Sequence, residues 1–380
     1  MYSIHNYGEM ILDVPRMEAY VRALRAAISP GCVVADIGAG TGIFAMLACQ
    51  LGARRVFAVD PNPAIDVARQ IAAANGFADR IEFFEALSTR IELPERADVI
   101  VSDLRGILPL YSQHIAAIAD ARRRHLVPGG TMIPARDDLW TAVVEDAAAH
   151  KRVTAPWLEN AYGLDMRVAA GILANDISRI NARAEQMITD PAHLATLDYS
   201  AIESPHFAAD VRLVAKREGT GHGLCAWFDS NVGPGITMSN APGEPRLIYG
   251  EQYFPWPVPV ALPPGDVVAV KIRADLVGDE YVWSWESRVS SATGEARAQF
   301  SQSNFMGEVS SPAMLRKRGA SHVPSLSEDG EIERAVLEQM SGEHSLGEIA
   351  RVVAARFPWR FPRWEEALAV VGEVSSRLGK

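Results

Sequence analysis

The sequence predicts a protein of mixed class: a doubly wound α/β domain, an antiparallel β-barrel domain with a helical insertion, and a small C-terminal helical module. Three observations predict this order. Short apolar runs alternate with helical patterns of roughly 10 to 15 residues over the first third of the chain. Segments of alternating apolar and polar residues, separated by Gly, Pro and Asn clusters, follow. Amphipathic helical patterns with short turns complete the sequence.

The composition of the 380 residues argues against several classes of protein. Apolar residues make up 48% and charged residues 22%, and the net charge is -10. This acidic balance is unfavourable for nucleic-acid binding. No uninterrupted apolar run reaches the roughly 18 residues of a membrane span, and the N-terminal residues lack the pattern of a signal peptide. Three scattered cysteines predict neither a disulfide framework nor a metal site, so we expect a cytoplasmic protein.

The first domain is predicted over 31–134, after N-terminal helices over 1–30. A helical pattern covers 11–29. The predicted strands read VVADI, RRVFAVD, RIEFFEA and ADVIVSD. The helices between and after them read IFAMLACQLG, PAIDVARQIAAANG and SQHIAAIADARRRHL. Strands that alternate with helices in this way predict a parallel sheet covered on both faces.

The remainder of the chain changes in character after about residue 134. The β-barrel domain is predicted over 135–310, with strand patterns DVRLVAKRE, GLCAWFDS, VVAVKIRADL and YVWSWESRV. A helical insertion is expected at about 163–190, and the helical module is expected over 311–380.

The glycine turn GAGTG joins the first strand to the next helix. Gly38, Gly40 and Gly42 allow positive φ and close approach of the backbone to a ligand. Asp60 ends the second strand about 20 residues later, where an acid can accept both hydroxyls of a ribose. The turn and the acid together predict a nucleotide-type ligand; a tight connection without a ligand is the alternative.

Asp36 distinguishes between the possible ligands of this turn. A dinucleotide would place its pyrophosphate here, and a carboxylate would repel it. S-adenosylmethionine carries a sulfonium and an ammonium group instead, and attraction to an acid is of order 1–4 kcal/mol at about 4 Å. The G-x-G-x-G spacing also departs from the G-x-G-x-x-G of dinucleotide-binding folds. The sequence therefore predicts S-adenosylmethionine as cofactor.

Several segments resemble the protein arginine methyltransferase family. Those similar to its Rossmann-like catalytic core read VADIGAGTGIFAMLA, RRVFAVD, VSDLRG and HLVPGGTMIP. NYGEMILDVPRMEAY is similar to the segment that folds over that family's cofactor, and PWLENAYGLDM to the start of its β-barrel. The likeness covers roughly 1–310, and the insertion lies where the family carries its dimerisation arm. It implies a class I S-adenosylmethionine-dependent methyltransferase that forms a homodimer.

The resemblance also implies a set of cofactor-binding residues. They are Tyr7, Met10, Arg16, Asp36, Gly38, Gly40, Gly42, Asp60, Ser88 and Thr89. Arg16 would pair with the methionine carboxylate, Asp60 with the ribose, and Ser88 and Thr89 with the adenine. The alternatives are an ordinary surface charge for Arg16 and a strand-end cap for Asp60. Tyr7 and Met10 are equally compatible with simple packing.

The acceptor side departs from the family. Arginine methyltransferases clamp the substrate guanidinium with two glutamates, and the matching positions here are Asp103 and the uncharged Ser112. The family's Thr-His-Trp segment aligns with 247–249, so that Tyr249 replaces the tryptophan. Asp103, Ser112 and Tyr249 are the predicted catalytic residues; for Asp103 a helix cap is the alternative. Candidates to replace the missing charge are Glu251, Glu286 and His222, and Arg105 is a candidate to recognise a substrate carboxylate.

The leading hypothesis is a methyltransferase that acts on a nitrogen or oxygen of a small molecule or peptide. The alternatives are an arginine N-methyltransferase with a rearranged clamp and a non-catalytic protein that only binds the cofactor. The C-terminal pattern HSLGEIARVVAARFP resembles small winged-helix peptide-chaperone modules. Packing against the barrel and a dimer contact are the alternatives for that module.

Overall fold

The computed structural model describes residues 2–159, 162–309 and 311–379. They form two compact units, Met1–Glu308 and Val309–Lys380, each with a hydrophobic core. The helices of the first unit are α1 (Ile4–Leu12), α2 (Val14–Ala27), α3 (Ile43–Gln50), α4 (Ala64–Ala74), α5 (His114–His125), α6 (Ala147–Leu158), α7 (Arg167–Leu173) and α8 (Asn304–Gly307). None of the helices in the described residues combines the length and the apolar character needed to cross a membrane.

The α/β part contains a parallel sheet in the order β3-β2-β1-β4-β5. Its strands are β1 (Val33–Ile37), β2 (Arg55–Val59), β3 (Ile81–Phe84), β4 (Ala97–Ser102) and β5 (Leu126–Ile133). Each pair is parallel, which confirms the doubly wound prediction. The strand order reverses between β1 and β4, and open α/β sheets bind their ligands at the carboxyl ends of the strands beside such a point.

The helical pattern predicted over 11–29 corresponds to the end of α1 and to α2. Asp13 separates them: its side chain caps α2 by accepting a hydrogen bond from the Arg16 N–H at 3.3 Å, and a proline occupies the first turn. The division allows α1 to lie across the end of the parallel sheet while α2 packs into the core.

The rest of the first unit is antiparallel, as predicted. Its strands are β6 (Arg136–Val144), β7 (Ser178–Ile180), β8 (Ala192–Asp198), β9 (Phe207–Val214), β10 (Gly219–Gly233), β11 (Ile236–Ser239), β12 (Glu251–Leu262), β13 (Val267–Val277), β14 (Glu280–Ser290) and β15 (Ala296–Ser303). One sheet has the order β7-β12-β10-β6-β8 with β11 beside β10, and the other has the order β15-β14-β13-β9. The described strands form two sheets that are not joined by a ladder, so the predicted closure into one β-barrel is not found among them.

The predicted helical insertion is less helical than expected. Only α7 forms a regular helix within 163–190, and β7 then pairs with the edge of β12, with Ile180 opposite Glu251. Pairing with an exposed sheet edge satisfies backbone groups that a continued helix would have satisfied internally. The PWLENAYGLDM segment begins inside α6 rather than in a strand, and its residues 160 and 161 lie outside the described residues.

The second unit contains α9 (Pro312–Arg318), α10 (Glu328–Gln339), α11 (Leu346–Arg356) and α12 (Trp364–Leu378). Val336, Val353 and Val371 are fully buried between the last three helices. Ser345 forms a capping box with Glu348 at the start of α11. Residues 311–379 contain helices and no strand, so this part of the chain lacks the β-wing of the winged-helix modules that the sequence resembles.

Candidate active site

A cavity of about 1140 Å³ lies at the carboxyl ends of β1, β2 and β4. Its wall runs from the glycine turn, past the loop after β4, to side chains of the antiparallel sheets. We call the part at Gly38 and Asp60 the donor end, and the part at Asp103 and Trp283 the acceptor end. One continuous cavity thus brings together segments that are far apart in the sequence.

Seven of the ten predicted cofactor residues lie in or directly against the wall of the donor end. Tyr7, Met10, Arg16, Gly38, Asp60 and Ser88 line it, and Gly40 lies directly under the Tyr7 ring. Gly38 and Gly40 have φ of 82° and 52°, and a Cβ atom on them would collide with Leu104 and Tyr7 respectively. These positions therefore need glycine both for conformation and for close approach.

Asp60 is fixed by backbone donors. Its Oδ2 accepts a hydrogen bond from the Gly40 N–H at 2.7 Å, and its Oδ1 accepts one from the Asn62 N–H at 2.7 Å. Burial raises the pKa of its carboxyl above the usual value, and the two amides oppose this shift. A carboxylate has about four acceptor positions, so two remain for hydroxyl groups in the cavity. Near this carboxylate, burial raises the pKa of Tyr7 to about 12.

Asp36 does not line the cavity, contrary to the sequence prediction. Its side chain lies under the turn with no exposed surface, and its Oδ2 accepts a hydrogen bond from the Ala45 N–H of α3 at 2.9 Å. Its Oδ1 has no hydrogen-bond partner among the described residues. Burial raises the pKa of this carboxyl to about 7. Asp36 thus supports the start of α3 from below instead of meeting a bound cation directly.

Two other predicted cofactor residues also lie outside the wall. Gly42 caps α3 with a φ of 78° and packs against Ala68 of α4, so its role is in the connection between strand and helix. Thr89 is exposed, whereas its neighbour Ser88 is buried and lines the cavity. The short helical turn that holds both residues directs only one of them inward.

Arg16 pairs with Asp103 in this structure. Its guanidinium contacts the Asp103 Oδ2 through both Nε and Nη2 at 2.6 Å. Nη1 donates to the Met10 carbonyl at 3.0 Å, and Nε also lies 3.2 Å from the Tyr249 hydroxyl. Burial alone would lower the pKa of Arg16, but the charge of Asp103 raises it. The predicted partner of Arg16 is a cofactor carboxylate, which would have to share the Arg16 guanidinium with Asp103 or displace Asp103 from it.

Asp103 is surrounded by donors. Besides Arg16, its Oδ1 accepts a hydrogen bond from Arg105 Nε at 3.0 Å, and its Oδ2 accepts one from the Tyr249 hydroxyl at 2.6 Å. Burial by itself would raise the pKa of Asp103, but Arg16 and Arg105 hold it well below its usual value. The carboxylate therefore stays ionised and is a poor proton acceptor. Asp103 and Tyr249 thus lie in contact, and Ser112 lines the same cavity and has an unusual φ of 44°.

The charged network continues behind the wall. Arg105 Nη1 contacts both oxygens of Asp137 at 3.0 and 3.3 Å, and the Tyr199 hydroxyl donates to Asp137 at 2.5 Å. The Tyr199 oxygen lies 3.1 Å from His114 Nε2. Burial and Arg105 lower the pKa of His114 to about 3, so its imidazole is neutral. The sequence prediction missed Asp137 and His114; an acid within a buried strand was the available signal for Asp137.

The far side of the acceptor end is formed by the antiparallel sheets. Gln113 Nε2 donates to the Gly278 carbonyl at 2.7 Å and to Asp279 Oδ1 at 3.0 Å, which ties the loop after β4 to the hairpin of β13 and β14. Arg179 also lines the cavity; it donates to the Ile248 carbonyl at 3.1 Å and has no carboxylate partner among the described residues. No sequence pattern singled out this arginine.

The candidates for a replacement charge do not reach the cavity. Its wall excludes Glu251, Glu286 and His222. Glu251 instead accepts a hydrogen bond from the Ala182 N–H at 2.9 Å. Apart from Asp60 and Asp103, the carboxylates of the wall are Glu9 and Glu280, both on exposed residues. Among the described residues, the wall of the acceptor end thus contains no second buried carboxylate.

Two protein families match adjacent parts of the chain. Residues 17–135 match the family described as ribosomal protein L11 methyltransferase (PrmA). Residues 135–273 match the arginine methyltransferase oligomerization subdomain. The boundary between the two matches lies where the parallel sheet gives way to the antiparallel strands.

Curated relatives carry the name protein arginine N-methyltransferase. The probable protein arginine N-methyltransferase 1.2 of Arabidopsis thaliana is 32% identical and covers 60% of this chain and 63% of its own length. Protein arginine N-methyltransferase 6 of Danio rerio is 31% identical, covering 58% and 67%, respectively. Protein arginine N-methyltransferase 1 of Dictyostelium discoideum is 30% identical, covering 62% and 69%. The chain thus spans less than two thirds of the length of the first of these relatives and 67% and 69% of the other two.

Solved structures share the fold. The Trypanosoma brucei PRMT1 enzyme–prozyme heterotetrameric complex with AdoHcy has a TM-score of 0.73 at 23% identity, over 80% of this chain and 98% of that chain. Arabidopsis thaliana protein arginine methyltransferase 10 has a TM-score of 0.69 at 23% identity, over 79% and 97%. At this level of identity the likeness concerns the fold.

Proposed function

Because this chain belongs to the protein arginine N-methyltransferase family, we propose that it is a methyltransferase that uses S-adenosylmethionine. The observation that carries this proposal is the donor end of the cavity. There Gly38 and Gly40 let the Leu104 side chain and the Tyr7 ring approach the backbone closely, and Asp60 retains acceptor capacity towards the cavity. An adenosine needs such features: a backbone that can be approached closely and a carboxylate for its ribose hydroxyls.

The residues present fit this cofactor. Asp60 would hold the ribose, Ser88 the adenine edge, and Tyr7 and Met10 would cover the bound molecule. Arg16 would reach its carboxylate, at the expense of part of the contact with Asp103. When bound, the cofactor supplies an electrophilic methyl group on a positively charged sulfur. The contribution of the protein is then to align an acceptor lone pair with that methyl group and to exclude water.

The acceptor in this proposal is a nitrogen or oxygen atom of a small molecule or peptide that does not bear a guanidinium group. The choice of this acceptor is supported by the hydrogen bonds that Asp103 already accepts from Arg16, Arg105 and Tyr249. Even with Arg16 drawn partly to the cofactor, Asp103 keeps Arg105 and Tyr249, so another buried guanidinium would have to displace Arg105. Removing a partner from a buried pair costs about 3–5 kcal/mol. Ser112 adds no charge to offset that cost.

The second candidate is arginine N-methylation, and the names of the relatives favour it. It requires that Asp103 exchange an internal arginine for a substrate arginine. A third candidate, a protein that binds the cofactor without catalysis, shares the donor end and predicts no product. The three candidates make the same prediction for cofactor binding and differ only in the product.

Labelled methyl transfer separates these candidates. Purified protein is incubated with methyl-labelled S-adenosylmethionine and either fractions of a host lysate or Arg/Gly-rich peptides, and products are identified by mass spectrometry. We expect a labelled small molecule or peptide without methylarginine. Methylarginine in the peptides would establish the second candidate. Tight binding of S-adenosylhomocysteine by calorimetry without any labelled product would establish the third.

A homodimer in the cytoplasm is also part of the proposal. Its support is the match of residues 135–273 to a family named for oligomerisation. Light scattering of the purified full chain should give twice the 41.3 kDa mass of the monomer. A monomeric mass over a range of protein concentrations would refute this part without affecting the proposed chemistry.

A further inference from the structure

Arg105 occupies a site that is built for a guanidinium group. All of its nitrogen atoms are engaged: Nε with Asp103, Nη1 with Asp137 and the Ser230 hydroxyl, and Nη2 with the Tyr20 hydroxyl at 2.6 Å. The side chain has no exposed surface. Paired acceptors around a planar fork are the arrangement that recognises guanidinium groups rather than ammonium groups.

Three aromatic rings complete this site. The Cζ atom of Arg105 lies 5.0 Å from the centroid of the Phe228 ring, 5.5 Å from that of Tyr249 and 5.8 Å from that of Tyr20. Cations are attracted to ring faces within about 6 Å. We call Asp103, Asp137, Ser230 and the three rings the guanidinium cage.

The charges of the cage are balanced only when a cation fills it. Asp103 and Asp137 are both buried, and Arg16 and Arg105 are the two buried cations that face them. Removal of the Arg105 side chain would leave two carboxylates with one cation. An unbalanced buried charge is strongly unfavourable, so the vacated cage should take up a cation of matching shape.

The cage also borders the cavity. Arg105 itself lines the acceptor end, together with Asp103 and Tyr249. The space left by a truncated Arg105 side chain would therefore be continuous with the cavity, and a small cation could enter from there. In the natural chain the same space is closed by Arg105.

We propose that Arg105 is a specificity-determining residue: it fills the guanidinium cage from within the chain and so excludes guanidinium-bearing acceptors. This inference rests on the proposed function, because it explains why a member of this family would act on a different acceptor. It goes further in assigning the exclusion to one side chain, whose removal should create a binding site for guanidinium, methylguanidinium or a substrate arginine.

The test is chemical rescue of the R105A variant of the whole chain. Rescue is measured by thermal unfolding, a readout that does not depend on methyl transfer. Methylguanidinium at about 10 mM should raise the unfolding midpoint of R105A by roughly 2–5 °C, as expected for a ligand that binds only the folded state. Sodium chloride at equal ionic strength should leave the unfolding midpoint of R105A unchanged, and methylguanidinium should leave that of wild type unchanged. R122A is the matched control, because Arg122 is also largely buried and ion-paired but has no aromatic cage around it.

A second variant guards against a failure to fold. R105Q keeps most of the side-chain volume and removes the charge, and refolding yield from urea with and without methylguanidinium can be measured even for an unstable variant. A yield or midpoint that rises equally with sodium chloride, or with methylguanidinium in R122A, would overturn the inference. So would the absence of any methylguanidinium effect in both Arg105 variants.

The acceptor arm of the experiment uses Arg/Gly-rich peptides and labelled cofactor. We expect methylarginine from R105A and none from wild type. Methylarginine from wild type would overturn the exclusion role of Arg105. If methylguanidinium stabilises R105A but no acceptor yields a labelled product, the cage is supported and the proposed enzymatic function is refuted. Failure of the cage and failure of the enzymatic function are therefore distinguishable.

Discussion

The donor end and the acceptor end of the cavity use carboxylates in opposite ways. Asp60 at the donor end is held by two backbone amides and keeps acceptor capacity for a ligand. Asp103 at the acceptor end is held by two arginines and a tyrosine hydroxyl, all of them side chains of the protein itself. A carboxylate at a strand end is therefore available to a ligand only if the neighbouring side chains do not already occupy its acceptor positions.

The largest expected effect tests whether the acceptor end is held by its ion pairs. D103A leaves the buried Arg16 without its carboxylate partner and Arg105 with Asp137 alone, and we expect it to lower the free energy of unfolding by about 3–5 kcal/mol in urea denaturation. The matched control is E95A, since Glu95 also faces two arginines but is partly exposed. A loss of at most about 1 kcal/mol is expected there. Equal losses in the two variants would contradict the comparison.

The next effect concerns Asp36, which lies beneath the donor end. Its folded pKa of about 7 exceeds its ordinary value of 3.8, so between these pH values the folded state holds a proton that the unfolded state has released. The free energy of unfolding of wild type relative to D36N should therefore fall as the pH rises through this window, by up to about 4 kcal/mol at roughly 1.4 kcal/mol per pKa unit. Urea titrations of both proteins from pH 4 to 8 measure this difference, and a flat profile would show that Asp36 is ionised throughout.

Removal of Asp60 should weaken ligand binding more than it weakens folding. D60A loses the proposed contact with the ribose and the hydrogen bond that holds Gly40. We expect an affinity for S-adenosylhomocysteine about 100-fold lower in calorimetric titration, close to 2.7 kcal/mol. T89A is the control, because Thr89 lies outside the cavity wall. The affinity of T89A should stay within about twofold of that of wild type. A loss in T89A equal to that in D60A would mean that the adenine does not bind where the proposal puts it.

The smallest expected effect sharpens the description of the acceptor loop. Ser112 has a positive φ, which costs a serine roughly 1 kcal/mol more than it costs glycine. S112G should therefore raise the free energy of unfolding by up to about 1 kcal/mol, measured by urea denaturation. S29G, at a position without positive φ, should lower it by about 0.5–1 kcal/mol. A loss in S112G would mean that the Ser112 hydroxyl makes a contact that outweighs the backbone strain.

The donor end could largely be predicted because its determinants are local. The strand, the glycine turn and the acid of the next strand all lie within residues 33–60. Their hydrophobic pattern and turn chemistry therefore suffice to place Gly38 and Asp60. The exception is Asp36, for which the sequence indicated the strand end correctly but not the direction of the side chain; burial against α3 decided that.

The acceptor end could be predicted only in part. The resemblance placed Asp103 and Tyr249 in one site, although they are far apart in the sequence, and they lie in contact. It did not predict that Arg105 turns inward to Asp137, because that contact joins the loop after β4 to a strand of a different sheet. The helical pattern at 163–190 overestimated the helix content of the insertion, because β7 pairs there with the edge of β12.

Periodicity and turn chemistry act over short distances along the chain, so the succession of the α/β and antiparallel parts, the parallel sheet and the glycine turn with its acid follow from the sequence. Which charges meet depends instead on the tertiary structure. In a buried site the pairing of Asp103 with Arg16 and Arg105 depends on which side chains the folded elements bring within about 3 Å of each other, where low dielectric makes each pairing strong. That choice, and not the sequence pattern, separates a carboxylate that is free for a ligand from one that is already satisfied.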